Sequence, residues 1–178
     1  MLGRRLRTLR KERGMTLTQV ASEVGLSPSA ISQIERGRVE PSLRTLRALS
    51  DVLEVPVFSV FVQNSSKNLV VRKDERLQFS LPDCAATYEL LTPASRRRLE
   101  MVLTRLEPGT STASEPLAHS GEECMHIMSG TAEVELGQQR FVLDEGDSIY
   151  IDEGVPHRVT NVGKGPLVCL WGMAPAQL

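Results

Sequence analysis

The chain has 178 residues, of which 40% are hydrophobic and 24% are charged, as in an ordinary soluble globular protein. Its net charge of −1 conceals an asymmetry, because residues 1–62 contain ten basic and six acidic residues and the remainder contains eleven and sixteen. No apolar run approaches the roughly 20 residues of a membrane span, and three widely spaced cysteines argue against a disulfide framework and favour a cytoplasmic location.

The beginning of the chain has the apolar spacing and stop signals of short helices. Leu2 and the leucines that follow it at helical intervals predict a first helix, which Gly14 ends. Thr16 and Gln19 have the spacing of a capping box, and Gly25 has the position of a helix stop. These signals predict two helices with a short turn between them.

A third helix is predicted after another short corner. Ser27 can cap it, and Pro28 suits its first position because the N–H that proline lacks has no partner there. Gly37 ends this helix after Arg36. Two short helices joined by a glycine corner predict a helix-turn-helix.

Two more helices complete the predicted N-terminal domain, residues 1–62. Ser42 opens a fourth helix, in which leucines recur at helical spacing. The segment Pro56–Val62 is predicted to be a short fifth helix, whose Phe58 and Phe61 close the core. The sequence therefore predicts an all-α unit of five helices.

The segment TLTQVASEVGLSPSAISQIERGRVEPSLRTLRALSDVLEV, residues 16–55, resembles the DNA-binding domain of the Xre, or lambda-repressor-like, family. The most specific part is SAISQIERG, residues 29–37. A solvated polar face is the alternative for an isolated helix, but the capped corner, the local positive charge and the family pattern favour contact with DNA. The resemblance implies that the protein binds a palindromic operator as a homodimer.

In such a unit the second helix of the motif enters the major groove. Four residues of the third helix are not needed for its buried face: Ser29, Ser32, Gln33 and Arg36. Gln33 is the best candidate to contact a base, because its amide can bond adenine N6 and N7 together. Ser29 and Ser32 could reach either bases or phosphates. Four residues around this helix would hold the DNA backbone: Ser27, Arg36, Arg38 and Arg44. Pro28 is also predicted to lie at the DNA.

After a linker, residues 63–74, the period of the hydrophobic pattern changes from helical to alternating. Six strand-like runs are separated by turn signals: residues 98–106, 124–128, 131–136, 140–143, 148–151 and 166–173. Short strands at this spacing predict an all-β sandwich or barrel over residues 75–178.

Two stretches of this domain, LAHSGEECMHIMSG and GDSIYIDEGVPHRVTN, resemble the two motifs of the cupin superfamily. Leu117 stands where the first motif begins with histidine, and Asp152 stands where the second has proline. The resemblance implies a small double-stranded β-helix barrel and hence an α+β two-domain protein. The stretch LEPGTSTASEPLAHSGEE is similar to repressors of putrescine utilisation and related regulators of amine and amino-acid catabolism.

Cupin enzymes generally hold iron, manganese or zinc with three histidines and one glutamate. The residues of this set that remain here are His119, Glu123 and His157. His126 falls on the opposite side of the strand from Glu123, because alternate residues of a strand face the same way. The trio could bind a divalent zinc or iron ion, although Leu117 fills one direction with apolar bulk. It could instead bond directly to a small ligand.

Carboxylates near the predicted mouth of the barrel favour an amine or another cation as that ligand: Glu115, Glu122, Glu123 and Asp152. Tyr150 and Trp171, the only tryptophan, could supply a ring face for the cation or could fill the core. The effector predicted from these residues and from the resemblance is an amine, an amino acid or a derivative.

Together these features predict a cytoplasmic DNA-binding regulator without enzyme activity, which represses a nearby catabolic operon and dimerises through the barrel. Two alternatives remain open. The barrel could be a metal-dependent enzyme tethered to DNA, or the protein could be an antitoxin-like DNA-binding partner whose barrel only assembles.

Overall fold

Among the described residues of the computed structural model, four α-helices build the N-terminal unit: α1 (Leu2–Glu12), α2 (Leu17–Val24), α3 (Pro28–Glu35) and α4 (Leu43–Val52). The structure describes residues 2–55, 57–61, 69–81, 84–93 and 99–175, with the backbone alone at 58 and 59. The chain divides into two compact units close to residue 65. None of the described helices has both the length and the apolar character needed to cross a membrane.

The ends of these helices follow the local signals in the sequence. Thr16 and Gln19 form the predicted capping box, and Gly25 ends α2 in the left-handed conformation with φ of 72°. The Ser27 side chain accepts a hydrogen bond from the backbone N–H of Ala30, which caps α3, and Pro28 occupies the first turn. The predicted corner between α2 and α3 is therefore confirmed.

The predicted fifth α-helix is wrong. Within the described residues this segment forms a single 3-10 turn, Val57–Val60, while Pro56 and Val62 lie outside the described residues. A short run rich in β-branched and aromatic residues has little helix propensity. Val57 and Val60 are buried in the core, whereas Phe61 is half-buried. The side chain of Phe58, which was predicted to help close the core, lies outside what the structure describes.

In the described part of the C-terminal unit there are nine strands: β1 (Leu77–Ser80), β2 (Thr87–Leu90), β3 (Glu100–Leu106), β4 (Glu122–Ser129), β5 (Ala132–Leu136), β6 (Gln139–Leu143), β7 (Ser148–Ile151), β8 (His157–Asn161) and β9 (Leu167–Ala174). They form an antiparallel sheet in the order β1-β2-β3-β9-β4-β7 and a smaller antiparallel one in the order β6-β5-β8. A 3-10 turn, Lys73–Glu75, precedes β1. The α+β fold class is confirmed, with four α-helices among the described residues in place of five, and each of the six predicted runs overlaps a strand.

The inner faces of the two sheets form the core of this unit. Along β4 the buried residues alternate with exposed ones, so Glu123, Met125 and Ile127 point inward, as the strand period predicts. At the far end of β8, the fully buried Asn161 donates from Nδ2 to the carbonyl oxygens of Leu106 and Gly165, both at 2.9 Å. These bonds fix β8, the strand that carries His157 at its other end.

Candidate functional site

The exposed side of α3 is the first candidate site. All eight residues predicted at DNA lie at the surface or are partly exposed, on α3, in the segments that flank it and at the start of α4: Ser27, Pro28, Ser29, Ser32, Gln33, Arg36, Arg38 and Arg44. The opposite side of the helix packs through Ile31 and Ile34, which are 2% and 5% exposed. The helix therefore presents a polar strip with arginines at its C-terminal end and beyond it.

Arg36 lies back along its own helix. Its Nε donates to the Ser32 carbonyl oxygen at 3.1 Å, and one of its terminal NH2 groups donates to Ser32 Oγ at 2.9 Å. The guanidinium is thus held beside the residues that would face the bases. It must exchange these bonds for others if it is to reach a phosphate.

The second candidate site is a cluster of three side chains inside the barrel. Glu123 lies on β4 of the larger sheet, His157 begins β8 of the smaller sheet, and His119 lies in the segment before β4. His119 Nε2 is 3.1 Å from Glu123 Oε1, and His157 Nε2 is 3.3 Å from Glu123 Oε2. The three side chains are only 5%, 10% and 4% exposed for His119, His157 and Glu123.

Backbone bonds bring the two histidines together. Leu117 and His157 exchange N–H to carbonyl bonds, both at 3.0 Å, and Gly154 N donates to the carbonyl oxygen of His119 at 3.0 Å. Gly154 has φ of 76°, which glycine adopts without strain and other residues rarely do. The turn before β8 is therefore shaped so that His157 faces His119, with their ring centroids 4.9 Å apart.

The hydrogen bonds of the imidazoles decide what the cluster can bind. His119 Nδ1 lies 3.1 Å from the Ser120 carbonyl oxygen, and His157 Nδ1 lies 3.0 Å from the Val155 carbonyl oxygen. A carbonyl only accepts, so each Nδ1 carries a proton, and in a neutral imidazole the lone pair is then on Nε2. His119 Nε2 is buried, and its contact of 3.1 Å with Glu123 Oε1 is an ion pair when the imidazole carries a second proton. The two Nε2 atoms therefore converge on the Glu123 carboxylate, and either protons on the imidazoles or a bound cation must balance its charge.

The charge of Glu123 fits this arrangement. Burial raises the pKa of its carboxyl group, but the hydrogen bonds and the positive charge that His119 and His157 offer when both of their nitrogens are protonated outweigh burial and lower the pKa from 4.5 to about 2. The carboxylate is therefore anionic in the folded protein across the physiological range.

Both units match known protein families. A helix-turn-helix family model matches residues 6–59, and a cupin-domain family model matches residues 102–173. The HTH-type transcriptional regulator PuuR of Escherichia coli is 28% identical over 167 residues, which cover 92% of this chain and 89% of PuuR. A crystal structure of an HTH_3 family transcriptional regulator from Vibrio cholerae is 28% identical, with a TM-score of 0.75 over 97% of this chain and 94% of that one. The chain is a helix-turn-helix transcriptional regulator with a cupin domain.

The barrel alone has wider structural likenesses. An RmlC-like cupin from Shewanella frigidimarina is 17% identical, with a TM-score of 0.52 over 65% of this chain and 96% of that one. At this identity the likeness shows the shared fold of the cupin domain. The chemistry of the pocket must be argued from its own residues.

The histidine–glutamate cluster of the cupin domain fits a divalent metal ion. Its two imidazole nitrogens and carboxylate oxygen all lie within 4.8 Å of one another, and it is a candidate metal-binding group among the described residues. Each imidazole is oriented through Nδ1 by a carbonyl oxygen, as metal-bound histidines usually are. Zinc and iron both accept this donor set. Leu117 can supply no fourth ligand.

Of the other predicted effector-binding residues, Trp171 is buried, whereas Tyr150 and Glu115 are exposed. Trp171 lies inside the cupin domain, 6% exposed, with its ring centroid 6.5 Å from that of His157. Tyr150, by contrast, is 54% exposed on the outward side of β7, and its hydroxyl donates to Glu122 Oε2 at 2.6 Å, which raises the pKa of the phenol to about 12. Glu115 is also exposed. The expectation that Tyr150 lines the pocket is therefore not met, because strand alternation turns it away from the buried Ile151 side.

A buried carboxylate that the sequence analysis missed lies near the same level of the barrel. Glu100 is 1% exposed on the inner face of β3, and it pairs in register with Met173, which pairs on its other side with Glu123. Glu100 shares the inward face of β3 with Val102, two residues further along the strand. Strand alternation could therefore have revealed that Glu100 is buried.

Proposed function

We propose that the protein is a cytoplasmic repressor of a catabolic operon, and that its cupin domain binds a small cationic effector such as an amine, an amino acid or a derivative. Residues 1–62 bind a palindromic operator, residues 63–74 form a linker, and residues 75–178 bind the effector and join two copies into a homodimer. The observation that carries the effector site is the buried Glu123 carboxylate, 4% exposed between two imidazole nitrogens. A cation satisfies all three groups at once.

Regulation requires that the effector distinguish two arrangements of the protein. An effector changes DNA affinity only if it binds the DNA-competent and DNA-incompetent arrangements with different free energies. A coupling of roughly 1–3 kcal/mol, common for such linkage, changes operator affinity by about 5- to 150-fold. The proposed route is a change in the spacing of the two helix-turn-helix domains, transmitted through the linker.

Gln33 is expected to supply base recognition. Replacing it with alanine removes one amide able to bond adenine at two positions, so affinity for the operator should fall by roughly 5- to 150-fold while affinity for unrelated DNA changes little. Fluorescence anisotropy with a labelled duplex from upstream of the protein's own gene measures both affinities. Gln138→Ala, the same change at an exposed turn of the cupin domain, is the control and should bind like the wild type. Equal loss on operator and unrelated DNA would place Gln33 away from the bases.

The effector site is tested with the same duplex and a matched pair of histidine variants. We expect a compound from a panel of amines, amino acids and zinc chloride to change operator affinity at least about 5-fold in the wild type. His119→Ala should abolish this change, because it removes one of the converging nitrogens. His126→Ala should keep it, because His126 bonds Ser148 Oγ at 3.0 Å and lies across β4 from Glu123.

Other outcomes of that experiment favour the competing functions. Zinc is the second candidate occupant, favoured by the Nδ1 bonds of both histidines. A stoichiometric redox-active metal together with turnover of a small substrate would favour a metal-dependent enzyme tethered to DNA. If no compound changed operator affinity or raised the melting temperature, an antitoxin-like assembly role would be favoured, since a ligand of the folded state must stabilise it.

A further inference from the structure

Trp171 has a buried hydrogen-bond donor that the protein does not use. The indole Nε1 is inaccessible to solvent and has no hydrogen-bond partner among the described residues, although the side chain as a whole is 6% exposed. A buried donor without an acceptor costs about 1–3 kcal/mol. Such a group in a native barrel calls for a partner beyond the described residues, and a bound molecule is one.

The position of Trp171 places this donor beside the proposed effector site. In register, Trp171 lies between Val102 on β3 and Met125 on β4, and neither side chain can accept its proton as an oxygen would. The next inward residue of β9, Met173, is the register partner of Glu123. Trp171 therefore lies one inward position from the level of Glu123, and its ring centroid is 6.5 Å from that of His157.

We propose that Trp171 Nε1 donates a hydrogen bond to the effector, and that the effector therefore carries an acceptor oxygen as well as a cationic group. This inference rests on the proposed effector site and narrows its ligand. The histidine–glutamate cluster takes the positive end of the molecule, and the indole N–H takes a carboxylate or carbonyl oxygen. A free amino acid or a close derivative satisfies both ends, whereas a simple amine leaves the indole without an acceptor. Trp171 acts through its polar edge, not through the ring face.

Thr104 provides an internal comparison. Its Oγ1 is also buried without a partner among the described residues. In register it lies opposite Cys169. Along β9, Cys169 is one inward position before Trp171 and two before Met173. Inward residues of a strand are about 6.5–7 Å apart, so Thr104 lies well away from the level of Glu123. A small effector at the cluster should reach Trp171 but not Thr104.

The test uses the full-length protein and pairs of probes that differ by one carboxyl group. The common L-amino acids and L-ornithine are compared by calorimetry with the amines that remain when each loses its carboxyl group. We expect the best amino acid to bind at least roughly 10-fold more tightly than its amine, as a hydrogen bond to a charged group allows. Trp171→Phe should remove most of this preference, and Thr104→Val should retain it.

A measurement on the wild type covers the case in which Trp171→Phe does not fold. The chain has one tryptophan, so its indole N–H gives a single assignable proton resonance. The preferred amino acid should move that resonance downfield, and the matched amine should not. Amines that bind as tightly as their amino acids, or an indole resonance unmoved by a bound amino acid, would overturn the inference. If Glu123→Gln abolishes the binding of those probes, the proposed effector site is still supported, although the inference about Trp171 is wrong. If no probe binds at all, both proposals fail.

Discussion

Replacing Glu35 with glutamine is expected to lower the free energy of unfolding of the helix-turn-helix domain by about 3–5 kcal/mol, because it leaves the charge of Arg10 buried without a counter-charge. Arg10 Nε and one terminal NH2 group donate to the two carboxylate oxygens of Glu35 at 2.6 and 2.9 Å. The remaining NH2 group donates to the Met15 carbonyl oxygen at 2.8 Å. The two side chains are only 11% and 7% exposed.

The same pair positions the helix that would contact DNA. It ties α1 and the turn after it to the C-terminal end of α3, and Gly3 lets the helices approach closely. A Cβ on Gly3 would lie 2.2 Å from the Ile34 carbonyl oxygen and 2.7 Å from that of Glu35. Because α1 sits so close to α3, loss of the Glu35 charge should also shift α3, so operator affinity should fall even at temperatures where the domain remains folded.

Urea unfolding followed by circular dichroism at 222 nm, to which the four helices contribute most, measures the loss. Glu54→Gln is the matched control, since it weakens an ion pair with Arg13 in which Glu54 is 73% exposed, and it should cost less than about 1 kcal/mol. Replacing both Arg10 and Glu35 with methionine should recover much of the stability, because neither charge then remains buried. A Glu35→Gln variant as stable as Glu54→Gln would show that the buried pair contributes little.

The helices were predictable because their signals are local. The capping box of Thr16 and Gln19 and the Ser27 cap each involve residues three positions apart, so the sequence alone specifies them. The failure over Pro56–Val62 has the opposite cause, because burial of Val57 and Val60 depends on helices elsewhere in the chain. Strands β1, β2 and β8 were not predicted because each has at most two apolar side chains, too few to mark a strand in the sequence, and pairing with other strands stabilises them.

The sequence predicted only part of the candidate site. Spacing and resemblance led to His119, Glu123 and His157, and the structure brings these three together. Alternation along β7 requires Tyr150 and Ile151 to face opposite ways, but it cannot say which residue faces inward. The bond from Tyr150 to Glu122 on the outer face comes from a strand 28 residues away in the sequence. The unused indole N–H of Trp171 is likewise a property of the packed barrel alone.

Acidification is expected to remove about 3 kcal/mol of stability from the cupin domain through Glu123. The pKa of this carboxyl group is about 2 in the folded protein, against an ordinary value of 4.5. A carboxyl group whose pKa is lower in the folded state binds protons more weakly there than in the unfolded chain. Its contribution is therefore fully present above pH 4.5, and it is lost as the pH falls through that value toward 2.

Glu123→Gln has no such carboxyl group, so its stability should change much less over this interval while being lower than that of the wild type at pH 6. Urea unfolding at a series of pH values, with EDTA present to remove metal ions and Trp171 fluorescence as the reporter of the barrel, measures the difference. Glu122→Gln changes the neighbouring residue, which faces outward, and should keep the wild-type pH dependence. If Glu123→Gln and the wild type lost stability in parallel between pH 5 and pH 2, the two imidazoles would not be holding Glu123 in its charged form, and the cluster would lack the negative centre that a cationic effector needs.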